Sequence, residues 1–336
     1  MEALSDETLK GKTGVVVIGR NEGERLKRSL RSIVSRADRV VYVDSGSTDG
    51  SVEYARSVQV NVVRLDMRMP FSAGRARNEG FFFLREKYPY LEYIQFIDGD
   101  CELDREWLAL GVVFLKKNKD CAVAAGRRKE KFPQASVYNL LCDIEWNTPI
   151  GQAASCGGDF VVRCAAFEQV GGFNPVVVAG EEPDLCYRLR QHNWTIFRLD
   201  HAMTLHDAAI TKFSQWWKRA VRSGHAYAQG YMLHRKDGRG YYRKPFMQAW
   251  FWAFIFPASV VMAALFINKL FFLFSLAYLA QFVKITFYTY KRLSNMKQAV
   301  IYGFFTVIAK FAQLVGQVIF LKRSLLKKGY SIFEYN

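Results

Sequence analysis

The chain has 336 residues, half of them hydrophobic, and a formal net charge of +16, a length that allows one large domain with an appendage, or two domains. Residues 235–336 hold 15 Lys and Arg against Asp237 and Glu334, while residues 1–234 hold 32 basic and 29 acidic side chains. The excess charge therefore borders the apolar C-terminal runs, as basic segments do beside an anionic membrane face, and no nucleic-acid partner is expected.

In chain order, the N-terminus has no basic stretch followed by an apolar one, so no cleavable leader is expected and the first domain is read as cytoplasmic. Residues 13–18 are a β-branched run closed by Gly19-Arg20-Asn21-Glu22, after which Leu26, Leu30 and Ile33 recur at helical spacing. Residues 39–44 form a second apolar run, broken by the turn formers Ser45 to Gly50, and a helix is predicted to about Ser57. A third strand is predicted at 60–65, a loop turning into a helix at 72–87, and a fourth strand at 93–97. Strands alternating with helices of this length point to a sheet with parallel neighbours.

The fourth strand ends in Asp98-Gly99-Asp100. Paired carboxylates at the carboxyl end of a strand lie where open α/β sheets bind ligands, and a short acidic turn suits Mg2+ or Mn2+ carrying a diphosphate. A solvated acidic turn is the bland alternative. The six cysteines show neither Cys-x-x-Cys nor zinc-like spacing with the five histidines, so they are read as reduced and mostly buried.

Val15 to Glu22, Asp44 to Gly50, Gly74 to Gly80 and Asp98-Gly99-Asp100 resemble, in order, the motifs of family 2 glycosyltransferases with the GT-A fold, and Gly157-Gly158-Asp159, Gly171-Gly172-Phe173 and Gly180 to Leu185 continue the series. The resemblance covers roughly residues 13–230. It implies a nucleotide-sugar donor, a UDP-sugar foremost, met by Gly19, Asn21, Glu22 and Asp44 around the base, by Arg77 and Asp98 on the base or ribose side, and by Asp100 through the metal. Asp44 is equally suited to closing its own turn and can do both jobs, while a solvated helix start is the alternative for Arg75 and Arg77, of which only Arg77 is read as functional. Where the family has Gly-Glu-Asp-x-Asp, this chain has Gly180-Glu181-Glu182-Pro183-Asp184. Glu182 takes the position of the catalytic base, with Glu181 as the alternative. Pro183 is expected at the first position of a helix, which would put Glu182 at a helix N-terminus, where the dipole favours an ionised carboxylate. His206 follows a strand at 195–199 and is placed to complete the metal shell, with His201 as the rival. Gly157, Gly158, Asp159 and Trp146 are assigned to the acceptor and sugar side.

The segment 213–231 holds Gln215-Trp216-Trp217-Lys218-Arg219, similar to but not matching the Gln-x-x-Arg-Trp signature of processive members, which speaks against polymer elongation. Trp216, Trp217, Arg219 and Arg222 describe a basic, aromatic helix suited to the membrane interface and to an anionic lipid-linked acceptor; a core-facing helix is the alternative. Residues 246–267 are an uncharged apolar run long enough to span a bilayer, and 270–290 and 299–321 are similar but carry Lys284 and Lys310. Basic residues flanking the first two runs place both flanks in the cytoplasm, whereas a third span would put Lys322, Arg323, Lys327 and Lys328 outside; 299–321 is therefore expected to be re-entrant or interfacial, with a full span that overrides the charge rule as the alternative.

The expectation is an α/β protein. It has a GT-A type nucleotide-sugar-binding sheet with helices on both faces at 1–234 and a membrane region of α-helices at 235–336. It is read as an inverting, Mn2+ or Mg2+ dependent enzyme of the inner or plasma membrane, using a lipid-linked acceptor in polysaccharide or glycolipid synthesis. A nucleotidyltransferase on a similar sheet would leave Glu181, Glu182 and the apolar runs without a role, and a silent nucleotide-sugar-binding scaffold would not need every acidic position.

Overall fold

A computed structural model of the chain describes residues 11–69 and 71–326. The N-terminal residues behind the leader reading, and Lys327 and Lys328, lie outside the described residues. The chain divides into two compact units, one of Met1–Phe132 with Glu145–Ala209 and one of Pro133–Ile144 with Ile210–Asn336. The segment 213–231 goes with the second of these units.

The first unit opens with β1 (Thr13–Gly19), α1 (Glu24–Val34), β2 (Val40–Asp44), α2 (Ser51–Ser57), β3 (Asn61–Arg64), α3 (Ala73–Lys87) and β4 (Tyr93–Asp98). It continues with β5 (Cys101–Leu103), α4 (Trp107–Lys117), β6 (Cys121–Glu130), α5 (Val137–Trp146, mostly in the second unit), β7 (Gly151–Gln152), β8 (Phe160–Arg163), α6 (Cys164–Gln169), α7 (Glu181–Gln191) and β9 (Thr195–His206). The sheet order is β3-β2-β1-β4-β8-β6-β9-β5, with β7 beside β9. β1 to β4 pair in parallel with one another, and β8 is antiparallel to both β4 and β6. β1 is apolar at successive positions because both of its faces are covered. Val15 and Val17 pack with Leu26, Leu30 and Ile33 of α1, while Val16 and Ile18 pack with Ala76, Phe81 and Leu84 of α3. α3 lies flush on the strands because it carries glycine at its contact: a Cβ on Gly80 would lie 2.4 Å from Val16 and 2.9 Å from Val43. All six cysteines are free thiols, five of them buried.

The second unit contains α8 (Phe213–His234), α9 (Arg243–Phe266), α10 (Lys269–Leu293) and α11 (Met296–Leu325). The last three are long and apolar enough to cross a membrane. α9 contains one π-helical turn, Phe251–Ile255, and the Trp252 carbonyl accepts the Tyr278 hydroxyl at 2.5 Å. α11 is unbroken over 30 residues, so the chain does not turn back inside it, which removes the re-entrant expectation. Ala220 and Val221 of α8 pack on Ala312 of α11, and a Cβ on Gly224 would fall 1.9 Å from the Gln313 carbonyl oxygen.

Candidate active site

β1, β2 and β4 run in parallel and end at one edge, where Ile18 pairs with Asp98 and Gly19 with Asp44. Asn21 adopts the left-handed conformation that Asn tolerates, with φ 54°. Its amide oxygen accepts the Thr48 N–H at 2.8 Å, and its own N–H donates to the Ser47 hydroxyl at 2.9 Å, so the loops after β1 and β2 are laced together. Asp44 is 2% exposed and accepts the N–H groups of Gly46 and Ser47, each at 3.1 Å. Asp44 and Asn21 therefore brace the loops after β2 and β1, the turn-closing role that Asp44 was also suited to.

Asp100 follows β4, and β5 then pairs Cys101 with His206 at the end of β9. This register brings Asp100 Oδ2 to 3.3 Å from His206 Nε2. The expected strand at 195–199 is in fact twelve residues long, and that added length delivers His206. Burial disfavours a charged imidazole, but Asp100 and Glu130 outweigh it and push His206 up to about 9. Asp100 is likewise held below the usual carboxylate range against its burial, chiefly by His206. His206 Nδ1 lies 3.8 Å from Glu130 and is a buried nitrogen without a hydrogen-bond partner among the described residues. The Nε2 of His206 and the carboxylate of Asp100 converge on one point, and once the imidazole gives up its proton the pair fits a divalent cation. Cys101 is also near, but burial raises its thiol well above the ordinary value, so it stays protonated and is a poor ligand. His201 sits apart beside Asp104 at 3.8 Å and Glu106 at 3.6 Å, which removes it as the rival. Glu22 faces the same cluster: burial, then Asp100, push it up to about 7, with Arg25 opposing at 2.7 Å.

α7 begins at Glu181 after Gly180, which takes φ 77°. Glu182 is thus the second helical residue and Pro183 the third, two positions further in than expected. Arg77 reaches up from α3 and donates to Asp98 at 2.7 Å, pairs with Glu182 at 2.9 Å and with Glu181 at 3.5 Å, and is 2% exposed. It is not a solvated helix start: its two terminal nitrogens face three carboxylates, and its buried Nε has no hydrogen-bond partner among the described residues. Burial first, then Glu181, push Glu182 up to about 7, with Arg77 holding it back. Gly158 fits because it has no side chain: a Cβ there would lie 2.6 Å from Arg77 Nη2 and 3.2 Å from Glu182 Oε1. Gly157 is exposed with open space around it.

Asp159 is fully buried. It accepts the Thr204 hydroxyl at 2.7 Å and the Asp98 N–H at 3.1 Å, and so holds Asp98 in place. Its main partner is Arg128, a residue that the sequence reading missed. Arg128 bridges Asp159 and Asp98 at 2.7 and 2.8 Å. The available signal was a charged pair, Arg127-Arg128, ending the apolar run of β6. Trp146 does reach the site, its ring 4.6 Å from that of His206 and over the Arg128 guanidinium at 5.4 Å. Trp216, Trp217, Arg219 and Arg222 belong to the second unit. There Trp216 is 5% exposed and packed on Phe213 and Phe305, which is the core-facing alternative and not an acceptor contact.

Residues 14–154 match the profile described as Glycosyl transferase family 2. Glycosyltransferase AglE of Haloferax volcanii is 23% identical over 234 residues, 66% of this chain and 74% of that protein. Among solved structures, the mannosyltransferase PcManGT from Pyrobaculum calidifontis, in complex with GDP-Man and Mn2+, aligns with a TM-score of 0.60 at 17% identity over 91% of this chain and 87% of that one. The motifs thus gather on the carboxyl edge of a sheet of the GT-A fold, and residues 14–154 are similar to the family 2 glycosyltransferases.

Proposed function

We propose that the enzyme transfers a sugar, with inversion, from a nucleotide sugar to a hydroxyl of a lipid-linked or glycolipid acceptor at the plasma membrane, with its catalytic unit in the cytoplasm. The observation that carries the reading is the Asp100–His206 pair, 3.3 Å apart, on the same sheet edge as an Arg77-tethered Glu182. A divalent cation held by Asp100 and His206 would neutralise the charge that builds on the departing nucleoside diphosphate. Glu182 accepts the proton of the attacking hydroxyl, and Arg77 fixes its carboxylate in place. That the Pyrobaculum enzyme was solved with GDP-Man and Mn2+ supports a nucleotide-sugar donor and a manganese-like ion. Three apolar helices with basic flanks support an acceptor drawn from the membrane.

The test is turnover by the full chain in detergent with a panel of UDP- and GDP-sugars. Asp100→Ala should abolish transfer and remove the manganese dependence of nucleotide binding, and His206→Ala should raise the manganese concentration needed for half-maximal rate. Undiminished turnover in saturating EDTA would overturn the metal reading.

A further inference from the structure

We infer that Arg128 is a fixed cation that keeps a second metal ion out of the site and so confines metal binding to Asp100 and His206. The inference rests on the metal-dependent reading above. Among the described residues, two groups of side chains bring donor atoms close enough to share one ion: Asp100, Cys101 and His206, and Asp98, Cys101 and Asp159. The second group offers two carboxylates and would be the stronger attraction for a hard cation, were it open.

Arg128 closes it. Its Nη2 lies 2.8 Å from Asp98 Oδ2 and 2.7 Å from Asp159 Oδ1, and its Nε donates to Asp159 Oδ2 at 2.8 Å. The remaining capacity of Asp159 goes to Thr204 and the Asp98 N–H, and the other oxygen of Asp98 goes to Arg77. A guanidinium cannot lose its proton at any working pH, and its planar fork matches two carboxylates at once, so the block is permanent where a lysine would give only a point charge. The Trp146 ring lies over the guanidinium at 5.4 Å and covers it. The consequence is positional. A second ion at Asp98 and Asp159 would give a diphosphate another place to dock, whereas a single ion at Asp100 fixes where the leaving group sits relative to Glu182. Arg128 is thus a positioning residue that sets the number of metal ions.

The experiment counts manganese by the electron paramagnetic resonance signal of the free ion, titrated into the full chain in detergent with UDP present and, separately, with GDP. Wild type should bind one manganese per chain, Arg128→Gln two, and Arg128→Lys one. The double variant Arg128→Gln, Asp159→Asn should return to one, because only one of the two freed carboxylates remains. If Arg128→Gln is too unstable to titrate, thermal melting gives the same reading, since an ion bound only by the folded state raises the melting temperature. Manganese must then stabilise Arg128→Gln more than it stabilises wild type or Arg128→Lys. One site in both wild type and Arg128→Gln, or equal melting shifts, would overturn the inference alone. No manganese on wild type with either nucleotide would overturn the metal reading and the inference together.

Discussion

At the scale of single residues the site sets two acids on different courses. Asp100 lies beside an imidazole and stays ionised, whereas Glu182 lies beside another carboxylate in a buried position and is pushed up to about 7. The rate should therefore fall about tenfold per pH unit below 7 as the base becomes protonated, and a limb at the ordinary value of 4.5 in the pH profile of kcat would count against Glu182. Glu182→Gln should lose roughly two to four powers of ten in kcat while binding donor and metal nearly as wild type does. Glu182→Asp should retain part of the rate, limited by placement. The same shift bears on stability. The native chain holds this proton more tightly than the unfolded chain does, so the contribution of Glu182 is full below 4.5 and is lost as pH rises through 7. Glu182→Gln stays neutral throughout, and its advantage in melting temperature over wild type should widen from pH 5 to pH 8. A constant difference would mean that Arg77 compensates the ionised carboxylate fully.

At the scale of elements, the strand ends were legible because an apolar run that stops at Asp98 has one reading, and helices appeared wherever Leu26, Leu30 and Ile33 kept their spacing. What could not be read was which side chains close on one another across the fold. Arg128 looked like the end of a strand, and only the order β4-β8-β6 sets it beside Asp98. Trp216 looked like a membrane-facing aromatic until Phe305 of α11, 89 residues later, was seen covering it. Gly80 was part of a motif, but its necessity comes from packing. Two β-branched side chains, Val16 and Val43, stand where a Cβ would go, and neither has a flexible end to move aside. Gly80→Ala should push α3 off the sheet and cost about 1–3 kcal/mol, measurable by denaturant unfolding; an unchanged midpoint would mean that the helix shifts freely.

At the scale of the whole molecule, the second unit raises the question of how many helices cross. α11 packs along α8, a helix carrying Lys218, Arg219 and Arg222, which is poor company for a segment in lipid. With Lys322 and Arg323 at its end, the proposal that follows from the charge bias is that α11 stays on the cytoplasmic side while α9 and α10 cross. A cysteine at Leu326 should escape an impermeant thiol reagent applied to intact cells; labelling from outside would establish three spans. Charge also divides the chain by sign. The C-terminal hundred or so residues are strongly basic, while around Glu182 and Asp100 the carboxylates of Asp98, Asp159 and Glu181 outnumber the guanidinium groups of Arg77 and Arg128. A bare diphosphate is repelled by such a site, and one already carrying its cation is not. Initial rates should then follow the concentration of the cation–donor complex, with uncomplexed donor inert, so that the order in which reactants arrive is set by a surplus of negative charge before any chemistry begins.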